Sequence, residues 1–144
     1  MKTLHILIIL LLFCLVSCII EDSTDVTFTI NNQSEQAVKI SIKNASLDGG
    51  SVRKDTVLSI LVHASFTYNY SDIGGANTLP FGGVDTVWVI FNTADSVLYV
   101  YKDNSSRNIL KTESYEKNVT TKKHITSYTY TYTLTEEDYQ NAIK

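Results

Sequence analysis

Val26-Thr27-Phe28-Thr29-Ile30-Asn31-Asn32 and, after a polar break, Val38-Lys39-Ile40-Ser41-Ile42 alternate apolar and polar residues at a period of two. A strand turns successive side chains to opposite faces, so each segment presents one apolar face and one wet face. Val26, Phe28 and Ile30 belong inside, as do Val38, Ile40 and Ile42, and Asn31-Asn32 punctuates the first strand. The pattern recurs at Phe66-Thr-Tyr-Asn-Tyr70 and at Ser127-Tyr-Thr-Tyr-Thr-Tyr-Thr-Leu134.

Between these segments lie less regular ones. Thr56 to Val62 is more continuously apolar, as expected of a strand buried on both sides or passing between sheets. Val87-Trp-Val-Ile-Phe91 and Val97-Leu-Tyr-Val-Tyr101, joined by a short polar turn from Asn92 to Asp95, read as a hairpin at the centre of the core. The loop from Ser71 to Asp85 carries Gly74-Gly75, Gly82-Gly83 and Pro80, the only proline. Residues 102–124 are polar, with Ile109, Leu110, Tyr115 and Val119 as anchors, which predicts a long excursion with short or edge strands. Thr135-Glu-Glu-Asp138 resembles a capping box with acidic residues in the first helical turn. It opens a short helix over 135–144 whose Tyr139, Ala142 and Ile143 could dock on the sheets. About seven strands and no long helical period predict an all-β, immunoglobulin-like β-sandwich over 26–134. A closed barrel is the alternative.

The N-terminus has a different character. Lys2 precedes an apolar run from Leu4 to Val16, interrupted only by His5. The run is shorter than the roughly 20 residues needed to cross a bilayer as a helix, and it suits the apolar region of a secretory signal. Leu15-Val16-Ser17-Cys18 resembles the lipobox of bacterial lipoproteins, with small Ser17 before the cut. The competing Cys14 follows bulky Phe13. The resemblance implies a signal peptide over 1–17 and lipidation of Cys18, hence a membrane partner reached through the anchor. Two or more acyl chains hold a protein stably to a bilayer. On that reading the mature chain has no free thiol and no disulfide.

Residues 18–25 then form an acidic tether, Cys-Ile-Ile-Glu-Asp-Ser-Thr-Asp. No aspartate directly follows Cys18, and the cluster from Glu21 resembles the surface-export signal of Bacteroidota lipoproteins. The expected address is the outer membrane, with the surface favoured over the periplasmic face. A solvated linker would look the same.

The lipobox, Phe-Thr-Ile-Asn-Asn (28–32), Asp-Thr-Val-Trp-Val-Ile-Phe (85–91) and Tyr-Thr-Tyr-Thr-Leu-Thr-Glu-Glu-Asp-Tyr (130–139) together resemble small uncharacterised lipoproteins of Bacteroidota. The resemblance covers most of the mature chain, but its motifs are strand patterns, so it transfers no catalytic residue. Exported proteins of that phylum are O-glycosylated at Asp-Ser/Thr followed by a small or aliphatic residue. Ser23, Thr56, Thr86 and Ser96 stand in that context. The same residues are good strand-entry chemistry, a turn-forming Asp followed by β-branched residues.

The formal net charge is −3, and removing 1–17 takes Lys2 with it and no acidic residue. Phosphate binding needs a basic patch, so no nucleic-acid partner is expected. Lys122-Lys123-His124 reads as a solvated turn or a charged sheet edge. His63 and His124 show no metal-ligand spacing, no Gly-x-Ser-x-Gly elbow occurs, and the glycine pairs follow no phosphate-binding pattern. No catalytic residue, metal or cofactor is therefore assigned.

The nine tyrosines supply the binding candidates, in the sets Tyr68 and Tyr70, Tyr99 and Tyr101, and Tyr128, Tyr130 and Tyr132. The last is the candidate aromatic surface for a glycan or another envelope protein. Its opposite face is all Thr, however, which argues equally that these tyrosines face inward. The expected function is a non-enzymatic binding or accessory module. A subunit or anchor of a fimbria-like assembly, built by strand addition, is an alternative, and a small hydrolase is another.

Overall fold

The computed structural model describes residues 22–48, 52–73 and 79–142. The expected signal peptide, Cys18, the first tether residues, Gly74-Gly75 and Ile143 lie outside the described residues. Eight strands are described: β1 (Ser23–Asn32), β2 (Val38–Ala45), β3 (Lys54–Ile60), β4 (Ser65–Ile73), β5 (Thr86–Phe91), β6 (Asp95–Val100), β7 (Glu116–Lys122) and β8 (Ile125–Leu134). One helix, α1 (Glu136–Ala142), follows.

The strands form two four-stranded sheets, β4-β1-β8-β7 and β3-β2-β5-β6. They pack on one hydrophobic core, so the all-β sandwich expected from the alternation is what the chain adopts. The chain crosses between the sheets after β1, β3, β6 and before β5, and β1 lies parallel to β8 while all other pairs are antiparallel. In the antibody-type sandwich the first two strands share a sheet. Here β1 and β2 lie in opposite sheets.

The inward residues of β1 and β2 are those the period of two assigns: Val26, Phe28, Ile30, Val38, Ile40 and Ile42 are all buried. Phe28 is the hub of the first sheet. Its ring lies 5.3 Å from Tyr68 and 5.0 Å from Tyr130, both stacked, and 5.6 Å from Tyr115 edge-on. Offset and edge-on pairs of this kind add to the stabilisation from area burial alone.

Four expectations change, while the eighth strand, β7, is an edge strand of the kind expected in the polar excursion. Every β7 residue is exposed, so it has no apolar face to announce it. Residues 56–62 are not buried on both sides. β3 pairs only with β2, ends at Ile60, and leaves Val57 62% and Leu61 72% exposed. The 87–101 hairpin exists, but only β5 is an inner strand and β6 is a sheet edge.

Strand pairing begins before residue 26, inside the stretch 18–25 expected as a tether. Ser23, Thr24 and Asp25 already pair with both β4 and β8. Finally, Tyr130 and Tyr132 are buried, so 128–132 is not an exposed aromatic surface. Thr129, Thr131 and Thr133 on the other side tolerate water, while the tyrosine rings need the core and the Tyr132 hydroxyl finds a backbone partner there. Tyr132 Oη donates to Arg107 O at 3.1 Å.

Buried polar side chains fasten the connections. Asn32 donates to Gln36 O (2.7 Å) and Leu61 O (3.0 Å) and accepts from Ser34 Oγ (2.7 Å), joining the β1–β2 and β3–β4 turns. Asn108 donates to Val100 O at 2.8 Å and accepts from Leu110 N, pinning the long excursion to the end of β6. Phe81 is buried at φ 56°, and its amide donates to Tyr68 Oη at 2.9 Å. Gly82 follows at φ 77°, where a Cβ would stand 2.7 Å from Ser46 Cβ, so only glycine fits.

The capping box of α1 forms in part. Thr135 N and Oγ1 both donate to Asp138 Oδ2, at 2.8 and 3.1 Å. Asp138 is buried, and Arg107 meets its carboxylate with two donors, Nε to Oδ1 at 3.0 Å and Nη2 to Oδ2 at 2.5 Å. Arg107 Nη2 also donates to Thr133 O at 2.8 Å. The carboxylate holds the guanidinium's pKa above its ordinary value. Tyr139 completes the docking of α1, its ring 5.6 Å from Phe91.

Candidate functional site

The two outer faces of the sandwich differ in chemistry. On the β4-β1-β8-β7 sheet, the outward residues of the inner strands are Asp25, Thr27, Thr29 and Asn31 from β1 and Ser127, Thr129, Thr131 and Thr133 from β8. Short polar side chains of this kind suit an exposed strand face, and Ile125 at the start of β8, 45% exposed, is the one apolar side chain in this series.

The outer face of the β3-β2-β5-β6 sheet is the exception. One register row crosses all four strands: Val57 opposite Ser41, Ser41 opposite Trp88, and Trp88 opposite Leu98. Trp88 is 46% exposed and Leu98 39%. The neighbouring row runs Ser59, Lys39, Ile90, Ser96, and beyond Trp88 on the other side Thr86 pairs with Val100. The result is an apolar strip centred on the chain's single tryptophan. It exists because Val87, Val89 and Phe91 are drawn into the core, which forces the residues between them outward.

Trp88 sits between two lysines on β2. Ser41 lies directly across from it, and Lys39 and Lys43 flank Ser41 on the same outward face, both exposed. Neither lysine forms an ion pair among the described residues. Beyond Lys43 the face runs into a shallow cleft lined by Arg53, Asp85 and Thr86. Arg53 is already engaged there, donating to Asn44 O at 3.3 Å and Gly82 O at 2.7 Å. Asp55 Oδ1 accepts the Asn44 amide at the bulge that ends regular β2–β3 pairing.

The expected tyrosine candidates are placed otherwise. Tyr130 and Tyr132 belong to the core, and Tyr128 is half-buried beneath Lys117, whose Nζ stands 4.9 Å from its ring centroid. Burial raises the pKa of Tyr68, Tyr115 and Tyr132 above the ordinary phenol value. Tyr101 is exposed, with Lys111 Nζ 5.9 Å from its ring centroid, in a second shallow cleft that includes Asn104 and Glu113.

The four glycosylation candidates all lie within strands. Ser23 opens β1 and its amide donates to His124 O. Thr56 is in β3, Thr86 opens β5, and Ser96 is the second residue of β6. Thr86 is exposed and the other three are half-buried. Cys18 lies outside the described residues. Sequence reading missed Trp88 as a surface residue because it was counted into the apolar run 87–91. The signal was present in the parity of that run, since Trp88 is out of phase with Val87 and Val89.

Among the described residues no group of three His, Cys, Asp or Glu could hold a metal ion, and no helix is long and apolar enough to cross a membrane. No family model matches the chain, and no curated protein matches it. Among solved structures, the dioxygenase domain of a dioxygenase–carbohydrate-binding protein fusion from the cellulolytic bacterium Streptomyces sp. SirexAA-E aligns over 83% of this chain and 84% of its own. The identity is 12% and the TM-score 0.31. That likeness is too slight to carry chemistry or ligand across.

Proposed function

We propose that this chain is a non-enzymatic binding module, lipid-anchored at Cys18 to the outer membrane, whose binding face is the outer surface of the β3-β2-β5-β6 sheet. The observation that carries it is the exposed row Val57, Trp88, Leu98, with serines and the lysines of β2 beside it on the same face. A half-exposed indole on a sheet can stack on the C–H face of a sugar ring, while Ser41 beside it can bond ring hydroxyls. A glycan is therefore the ligand favoured. An assembly by strand addition is supported less, because the exposed edge β7 carries Lys117 and Lys122, and charged edges discourage pairing.

On the order of 100 Å² of Trp88 remains exposed, worth roughly 2 kcal/mol when covered. Trp88→Ala should then weaken glycan binding by ten-fold or more at a stability loss of about 1 kcal/mol for the covered part of the indole. Calorimetric titration of detergent-solubilised protein against oligosaccharides identified on a glycan array measures the first, and a thermal melt the second. Equal binding by the variant would move the site elsewhere. The anchor is tested by labelling cells with an alkynyl fatty acid, where Cys18→Ser should lose the label. Protease treatment of intact cells separates the surface from the periplasmic face.

A further inference from the structure

We infer that the glycan carried on Trp88 is a uronic-acid polymer, its carboxylates held by Lys39 and Lys43. The inference rests on the reading of Trp88 as a sugar platform, and charge complementarity takes it further. The chain as a whole is acidic, yet the two residues flanking the position opposite Trp88 are both lysines, exposed and without an ion-pair partner among the described residues. They lie four positions apart along β2, roughly 13 Å. A polymer running along the strands can therefore seat one ring on the indole and bring an acid group to either side.

The one arginine nearby, Arg53, is committed to the Asn44 and Gly82 carbonyls, so the lysines act as point charges toward either a carboxylate or a sulfate. One feature favours the sparsely charged uronate over a sulfated chain. Asp55 and Asp85 stand at the end of the face, so a densely charged chain meets repulsion where a sparsely charged one does not.

Trp88 is the only tryptophan, so its fluorescence reports the site directly. The experiment titrates the full, detergent-solubilised chain with oligogalacturonate and with alginate oligomers, each beside its methyl ester, which keeps the rings and removes the charge. The acids should quench at about ten-fold lower concentration than the esters at low salt. That advantage should vanish where the screening length falls to about 3 Å. Lys39→Gln with Lys43→Gln should bring acid down to ester, and the two Lys→Arg replacements should restore the difference. Equal affinity for acid and ester leaves the sugar platform standing and removes the uronate. Tighter binding of dextran sulfate than of either acid also overturns the uronate assignment. No response to any of these glycans overturns the platform itself.

Discussion

Replacing Arg107 by alanine leaves a carboxylate buried with half its partners gone. Asp138 is 2% exposed and has four described hydrogen bonds, two from Arg107 and two from Thr135. Removing one member of a fully buried pair costs about 3–5 kcal/mol. Here the arginine side chain is 37% exposed and Thr135 continues to donate, which reduces the loss to roughly 2–3 kcal/mol. The variant also gives up the bond to Thr133 O and the guanidinium's stacking 5.6 Å from the Tyr132 ring centroid. For a domain of this size the melting temperature should fall by about 10 °C.

Denaturant unfolding of the wild type, Arg107→Ala, Asp138→Asn and the double variant forms a cycle that isolates the pair. The double variant should be less destabilised than the sum of the singles by about 1–2 kcal/mol. If Arg107→Ala costs under about 0.5 kcal/mol, or the two substitutions simply add, the latch between the excursion and α1 has been misjudged.

Two further outcomes follow from the core. Burial raises the pKa of Tyr68, Tyr115 and Tyr132, whereas an unfolded tyrosine ionises near 10.0. Their contribution is intact below pH 10 and is lost above it, as the unfolded state sheds protons that the folded state keeps. Stability should fall by ~4 kcal/mol per pH unit for the three together. Tyrosinate absorbance should rise in two stages, the second coinciding with unfolding, and a single stage near the ordinary value would contradict the burial. Phe28→Ala should cost about 3–5 kcal/mol by chemical denaturation, since it leaves a void among Tyr68, Tyr115 and Tyr130. A loss below about 1 kcal/mol would mean that those rings collapse into the space.

What lies inside each strand could be read from the chain, because a period of two leaves no freedom once one face must be buried. Val26, Phe28, Ile30, Val38, Ile40 and Ile42 follow from that rule alone, and polar punctuation marks the turn at Asn92, whereas only the strand pairing decides that Lys123-His124 is a turn. Tyrosine resisted the same reading, because a ring that wants the core and a hydroxyl that wants water suit either face. Only the packing around Phe28, and acceptors such as Ile109 O and Arg107 O, turned Tyr115 and Tyr132 inward.

Strand order, the edge status of β3 and β6, and the Arg107–Asp138 latch across 31 residues are likewise properties of the assembled sandwich. They depend on which backbone edges meet, and local alternation is the same whichever neighbour a strand takes. The resemblance to a lipobox around Cys18 is the opposite case, since it rests on linear sequence alone. The proposed binding face lies between the two. Parity placed Trp88 outward, but only the register across four strands set it beside Ser41, Val57 and Leu98, with a lysine to either side.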